Sequence, residues 1–156
     1  MATTAAEIKA DYPIPVYNYR VDIAGETLSF KEVEGLNILF ETITYKGTPT
    51  EEKRGPDMFF MPGQPTPFEV IMKRGFSKSG TIKYLYDWLQ TIKLNQTDKR
   101  DITISLCDEE GAPIMIWTLI NAFPVELIAP HFNTENSEIA IEALRLMGDD
   151  VQFEEA

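Results

Sequence analysis

Apolar and polar side chains alternate along several short stretches of the chain, the pattern of a β-strand with one face in a core and one in water. In residues 17–23 the odd-numbered positions are apolar, and Asn18, Arg20 and Asp22 occupy the even-numbered ones. We therefore predict a strand here, with these three polar side chains on its wet face. Gly25 follows and marks a turn into residues 28–33, so the two stretches are predicted to form a hairpin.

Strand character also dominates the rest of the chain. The further candidates are residues 36–45, 68–73, 101–107, 114–121 and 138–147. The acidic run Asp108, Glu109 and Glu110 before Gly111 is a turn signal that joins two of them. Residues 139–146 also fit a short helix, although we favour a strand. The pattern predicts a mainly β fold whose sheet is mostly antiparallel.

One segment has helical periodicity instead. Between residues 81 and 94, apolar side chains recur at steps of three and four, the spacing of an amphipathic helix. Ser77 or Ser79 is expected to cap its start. Tyr84 and Trp88 lie off the main apolar stripe, so either the stripe is wide or these rings meet another surface.

Prolines and glycines crowd residues 46–67, and we expect no regular structure in a loop of this length. Four large apolar residues, Met58, Phe59, Phe60 and Met61, lie at its centre. Each would forfeit about 1.5–3 kcal/mol if it stayed in water. The loop either folds over its own core or reaches a neighbouring subunit.

We favour the neighbouring subunit, because an apolar patch with a charged rim is typical of an interface. The charged residues that flank the patch are Glu51, Glu52, Lys53, Arg54 and Asp57. Met58, Phe59, Phe60 and Met61 are thus the predicted inter-subunit contact.

The composition fits a single domain over residues 1–156, with residues 1–12 as a flexible N-terminal arm. Apolar residues make up 44% and charged residues 25%, which is ordinary for a globular domain. No apolar run approaches the roughly 20 residues of a membrane-spanning helix. The N-terminus lacks the features of a secretory signal, so synthesis in the cytoplasm is expected. The single cysteine, Cys107, is expected to be an inert packed thiol.

The net charge of −11 argues against specific nucleic-acid binding, because such affinity comes from cationic side chains. It does not argue against nucleic acid as a neighbour, since an acidic conduit would repel phosphates and not retain them. Simple solubility is the alternative explanation for this charge.

The residues offer little for catalysis. His131 is the only histidine, and neither a triad nor a histidine-based metal site follows from it. The acidic runs around Asp108 and at Asp149 and Asp150 lack the spacing of a calcium loop. No glycine-rich phosphate loop occurs. We therefore expect no enzyme activity, no metal and no cofactor.

Two other hypotheses remain open. One is a monomeric β-barrel that binds a small apolar ligand among its aromatic side chains. The other is a hydrolase that uses Asp108 or Glu110 as its carboxylate.

The order and spacing of several segments resemble the tail tube protein family of contractile phages and contractile injection systems, over nearly the whole chain. The matching segments are residues 17–25, 30–36, 61–63, 71–75, 85–88, 117–124 and 139–144. Among them, residues 61–63 read M-P-G, residues 85–88 read L-Y-D-W and residues 117–124 read W-T-L-I-N-A-F-P.

The resemblance implies an antiparallel β-barrel or sandwich with one flanking helix, assembled into hexameric rings that share a barrel around a channel. Stacked rings would form the inner tube of a phage tail or injection particle, with DNA or protein as cargo. The implied partners are further copies of the chain, sheath subunits, baseplate and spike proteins and a tube terminator. In such a ring, Asn18, Arg20 and Asp22 are the expected lumen-facing residues.

Overall fold

The protein is described by a computed structural model over residues 2–49, 52, 55–75, 81–92, 96–135 and 137–156. Strands account for most of the regular structure in these residues. In chain order the elements are α1 (Ala5–Asp11), β1 (Tyr19–Ile23), β2 (Glu26–Leu28), β3 (Glu32–Glu34), β4 (Phe40–Gly47), β5 (Asp57–Pro65), β6 (Phe68–Gly75), α2 (Thr81–Gln90), β7 (Arg100–Cys107), β8 (Pro113–Ile128), β9 (Ile141–Gly148) and β10 (Asp150–Glu155).

Eight strands form one folded sheet in which every pairing is antiparallel. The strand order is β2-β1-β7-β8-β9-β6-β3, and β10 also pairs with β8. Apolar side chains from β1, β6, β7, β8 and β9 pack into a single core together with α2. The predicted mainly β, antiparallel fold with one flanking helix is confirmed, although the sheet does not close into a barrel within one chain.

The long strand β8 holds the two halves of the sheet together by bending at Asn121. This residue has a φ of 54°. Its backbone N–H donates to Oδ1 of Asp101 at 3.0 Å, and its side-chain amide donates to Oδ2 of Asp149 at 2.8 Å. Asparagine tolerates this left-handed conformation better than most residues. The first half of β8 therefore pairs with β7 and β10, and the second half pairs with β9.

Helix α2 covers the core with a wide apolar stripe. Leu85 and Trp88 are buried, and the indole N–H of Trp88 donates to the carbonyl of Asp98 at 2.7 Å. The guanidinium of Arg100 lies 5.1 Å from the ring of Tyr84 and 4.9 Å from that of Trp88. Both rings therefore belong to the packed side of the helix. The expected caps, Ser77 and Ser79, lie outside the described residues.

The prediction that residues 46–67 lack regular structure is wrong. Residues 40–47 and 57–65 pair as the antiparallel strands β4 and β5, in a two-stranded sheet of their own. In a two-stranded sheet each strand has a free edge, so a residue without a backbone N–H is tolerated there. Pro62 and Pro65 lie within β5 for this reason, while Pro49 and Pro56 lie between the strands.

Other boundaries also differ from the sequence prediction. The segment 28–33 is divided, because β2 ends at Leu28 and β3 joins the opposite half of the sheet. The arm at residues 1–12 contains helix α1, where Thr4 and Glu7 form a capping box. Its flexibility stays a prediction. Strand β10 was not predicted, and residues 141–148 form a strand, not a helix.

A charged pair lies on the inner face of the sheet. Arg74 and Glu142 face each other across β6 and β9, with Nε and Oε1 2.9 Å apart, and are 4% and 2% exposed. Burial raises the pKa of Glu142 above its ordinary value of 4.5, while the charge of Arg74 opposes the shift. The effect of burial on the pKa of Glu142 is therefore larger than the effect of its ion pair with Arg74.

The raised pKa of Glu142 predicts a pH effect on stability. The folded protein binds a proton here more tightly than the unfolded chain, so this group stabilises the fold less as the pH rises from 4.5 through the folded pKa. The Glu142→Gln variant lacks this titration. Its unfolding free energy relative to the wild type should increase over that pH range, as urea titrations at several pH values would measure. A difference that stays constant with pH would contradict the prediction.

Candidate assembly interface

The β4–β5 hairpin exposes large apolar side chains on a sheet that pairs with no other described strand. The four residues predicted as an inter-subunit contact all lie in β5. Phe59 is 55% exposed and Phe60 is 70% exposed, and Met58 and Met61 are also exposed. These side chains are not buried in the protein's own core. The structure therefore disfavours the alternative in which this segment folds over that core.

The strand conformation divides the hairpin into two faces. Tyr45 is paired with Phe59 and Ile43 with Met61, so these four side chains share one face, which we call the aromatic face. The rings of Tyr45 and Phe59 stack with centroids 6.4 Å apart. Met58 and Phe60 point to the opposite face, beside Lys46 and Thr44. The alternation of the two faces cannot be recognised in the sequence of residues 58–61, because all four residues are apolar.

Charged residues lie on the strands of the hairpin and between them. Glu41, Lys46 and Asp57 lie on its strands, and Glu52 lies between them. The other members of the predicted rim, Glu51, Lys53 and Arg54, lie outside the described residues. The hairpin thus has both charge signs beside its apolar side chains, as partner surfaces commonly do.

The total accessible area supports an assembly. The chain exposes 11423 Å² at a mass of 17.7 kDa. A compact monomer of this mass is expected to expose about 8,000 Å². The excess exceeds the roughly 800 Å² that each partner contributes to a standard interface. A protomer with several neighbours accounts for such an extended surface better than an isolated globule does.

The predicted lumen residues lie near one another, in β1 and directly before it. Arg20 and Asp22 share the outer face of β1, with Nε and Oδ2 3.5 Å apart, and the hydroxyl of Thr27 donates to Asp22. Asn18 precedes the strand, and its amide donates to the carbonyl of Asp108. The sheet continues the outer face of β1 with polar and apolar side chains on β7, β8 and β10. These are Thr103, the buried Ser105, Ile116, Thr118, Ile120 and Gln152.

This part of the sheet also ends in two open edges. β2 pairs only with β1, and β10 pairs only with β8 among the described strands. An open edge leaves backbone N–H and C=O groups available to another chain. The polar face and its edges are therefore a second candidate contact surface.

The candidate catalytic residues are not brought together. His131 is exposed in the connection after β8, and Cys107 is buried at the end of β7. Oδ1 of Asp108 accepts the backbone N–H groups of Glu110 and Ala112 at 2.9 Å, which gives it a structural task in the turn. Within the described residues, no three carboxylate, histidine or cysteine side chains are grouped as metal ligands. None of the described helices is long and apolar enough to cross a bilayer.

Comparison with known proteins finds matches over nearly the whole chain. Residues 15–152 match the family model of the T4-like virus tail tube protein gp19. Among solved structures, the chain is similar to one in the cryo-EM structure of the PVC sheath-tube complex, an extracellular contractile injection system in its extended state. The identity is 36%, the coverage 99% of this chain and 100% of that chain, and the TM-score 0.87.

Two further structures are similar over most of the chain. One is the cryo-EM structure of the anti-feeding prophage tube terminating cap, at 36% identity, 100% coverage of both chains and a TM-score of 0.84. The other is the PVC sheath/tube terminator in its extended state, at 37% identity, 92% coverage of this chain, 98% of that chain and a TM-score of 0.81. A comparison with curated proteins gives no match.

Proposed function

Because the chain belongs to the T4-like virus tail tube protein family, we propose that it is a structural subunit of the inner tube of a contractile tail or injection particle. The observation that carries the proposal is the full-length match, at 36% identity, to a chain of an injection-system sheath-tube complex. Copies of the chain assemble into hexameric rings, and the rings stack into a conduit. The match supports this role over that of a monomeric barrel that binds a small ligand.

The physical properties of the protomer suit this role. The hairpin and the polar sheet face are different surfaces of one chain, so a contact between the hairpin of one copy and another surface of the next copy would be head-to-tail. Such contacts close into rings or continue as filaments, and a tube requires both. The open edges of β2 and β10 lie at opposite ends of one half of the sheet, so neighbouring copies can extend that half around a ring.

The relatives indicate the particle and its further components. The three structures at 36–37% identity come from extracellular injection systems or the anti-feeding prophage, which favours an injection particle over a DNA-conducting phage tail. Sheath subunits and a tube terminator are the partners that these complexes suggest. Baseplate and spike proteins complete the proposed assembly. The role requires no catalysis, and we propose that the chain is not an enzyme.

The polar face of β1 is proposed to line the conduit, with Arg20 and Asp22 directed toward the lumen and Asn18 at its margin. Because Arg20 is paired with Asp22 on this face and the chain has a net charge of −11, an acidic cargo would find no cationic binding track there.

An Arg20→Cys variant tests this placement, because the native Cys107 is buried and contributes little background labelling. In assembled tubes, the introduced thiol should react with a small maleimide, but at least about tenfold more slowly with a maleimide too large to enter the tube. Dissociated protomers, as the control, should react with both reagents. Equal labelling of intact tubes by both reagents would place Arg20 outside the lumen.

Negative-stain electron microscopy tests the proposed function directly. The purified protein, alone or co-expressed with a sheath and baseplate from the same particle, should form rings or tubes with a central channel. A strict monomer under all of these conditions would contradict the proposal. Thermal stabilisation by a small apolar ligand would then favour the ligand-binding alternative.

A further inference from the structure

Strand β10 is held to the rest of the protein by little apolar contact. It pairs only with β8 among the described strands, in an antiparallel register that places Asp150 opposite Ile120. Val151 is the only buried side chain among its six residues, and Phe153 is 46% exposed. The register of a strand is strongly specified only where one of its faces is buried. Apolar burial alone therefore specifies the register of β10 on β8 weakly.

The start of β10 lies at the bend of β8, which we call the corner. Strand β9 ends at Gly148 and β10 begins at Asp150, so Asp149 is the single residue between them. The backbone N–H of Asp149 donates to the carbonyl of Ile120 at 3.1 Å, and its Oδ2 accepts the side-chain amide of Asn121 at 2.8 Å. Two consecutive residues of β8 thus hold the residue that precedes β10.

The backbone at the corner has little freedom. Asn121 has a φ of 54°, and its N–H donates to Oδ1 of Asp101 on β7 at 3.0 Å. On β9, a Cβ added to Gly148 would lie 2.4 Å from Cζ of Phe68 and 2.9 Å from the carbonyl oxygen of Asn121. The chain of β9 therefore passes close to that of β8 here. The side chain of Asn121 extends toward Asp149 from a backbone that its neighbours hold in place.

The W-T-L-I-N-A-F-P sequence of residues 117–124 spans the corner, with Leu119 and Ala122 buried on either side of the bend. A glycine at position 121 would adopt the positive φ but would have no group to bind Asp149. Asparagine meets both requirements, because it tolerates the left-handed conformation and its amide is a hydrogen-bond donor. Bonds from such donors to carboxylates are stronger than bonds between neutral groups.

We propose that Asn121 is a positioning residue that sets the register of β10 on β8 through its hydrogen bond to Asp149. A shift of β10 by two residues would keep each of its side chains on the same face of the sheet. The shift would move Asp149 away from Asn121, so the amide bond opposes a displacement that apolar burial barely resists. The inference concerns the folded protomer and goes beyond the proposed tube function.

Disulfide reporters between β8 and β10 measure the register. Gln152 lies opposite Thr118, so a Thr118→Cys and Gln152→Cys pair reports the native register. Gln152→Cys combined with Ile116→Cys or Ile120→Cys reports a shift of two residues. In the native register these diagonal pairs are about 7–8 Å apart, too far for an unstrained disulfide. The native Cys107 is buried and contributes little background.

Replacement of Asn121 should change the balance of these disulfides in the oxidised full-length protein. In the Asn121→Gly variant, the share of shifted disulfides, counted by mass spectrometry, should rise at least about fivefold. The Asn121→Asp variant should show a larger rise, because its carboxylate faces that of Asp149. Adding Asp149→Asn to Asn121→Asp restores one donor and one acceptor in reversed order. It should return the shifted share to within about twofold of the original.

The matched control is Asn37→Gly, which introduces a glycine at an exposed asparagine between β3 and β4 and should leave the register unchanged. An unchanged share of shifted disulfides in Asn121→Gly, or no recovery in the reversed pair, overturns the inference. Loss of the folded circular dichroism spectrum in Asn121→Gly also overturns it, because Asn121 would then support the whole fold. The reporters require no rings or tubes, so a failure of the tube function leaves this result unaffected.

Discussion

Replacing Phe59 and Phe60 together with aspartate should abolish ring and tube assembly while the protomer stays folded. The two side chains are 55% and 70% exposed and lie on opposite faces of the hairpin, so the protomer loses little buried area. Each is expected to contribute about 1.5–3 kcal/mol when buried by a neighbour. Their joint loss weakens each contact by more than about 100-fold in association constant. The introduced carboxylates add a desolvation cost.

The measurement pairs negative-stain microscopy and sedimentation velocity with circular dichroism. The double variant should sediment as a monomer with the wild-type β-rich spectrum. The control is the Thr48→Asp and Gln64→Asp double variant, which adds the same charge at exposed polar positions of the hairpin segment. It should still assemble. If the Phe59 and Phe60 variant unfolds instead, the hairpin belongs to the core, and if it still forms tubes, the interface lies elsewhere.

Replacing Gly35 with alanine should destabilise the protomer by roughly 2–5 kcal/mol, the sum of a backbone strain and a packing clash. Gly35 has a φ of 95°, and an added Cβ would lie 2.3 Å from the carbonyl oxygen of Glu69. That oxygen belongs to the backbone of β6, so it cannot rotate away as a side chain would. Gly35 directly follows β3 on the way to the hairpin, at a point where the chain runs close to the backbone of β6.

The Gly111→Ala variant separates the effect of backbone strain from that of the packing clash. Gly111 has a similar φ of 85°, but nothing lies within 4 Å of its added Cβ. The Gly111→Ala variant should lose only about 1–2 kcal/mol of unfolding free energy, because it has the backbone strain without the packing clash. Thermal unfolding in the assembly-blocked Phe59 and Phe60 background avoids a contribution from the tube. We expect the Gly35→Ala midpoint to fall roughly 4–20 °C. Equal losses at the two glycines would show that the approach to β6 imposes no cost.

The alternation of apolar and polar residues predicted much of the fold. A strand buries every second side chain whichever strand it pairs with, so this pattern can be recognised in the sequence alone. Val21 and Ile23 are buried while Arg20 is exposed, as the alternation of residues 17–23 requires. The three- and four-residue spacing predicted α2, whose Leu85 and Trp88 reach the core. The same reasoning failed where alternation is absent, as in Met58 to Met61, and in the short strands β2 and β3.

Sequence alone also identified the apolar cluster at residues 58–61 as a surface in need of a partner, since the cost of wetting four such side chains does not depend on their conformation. Only the tertiary structure decided that they form a strand with two faces, because a two-stranded sheet with free edges accommodates Pro62 and Pro65.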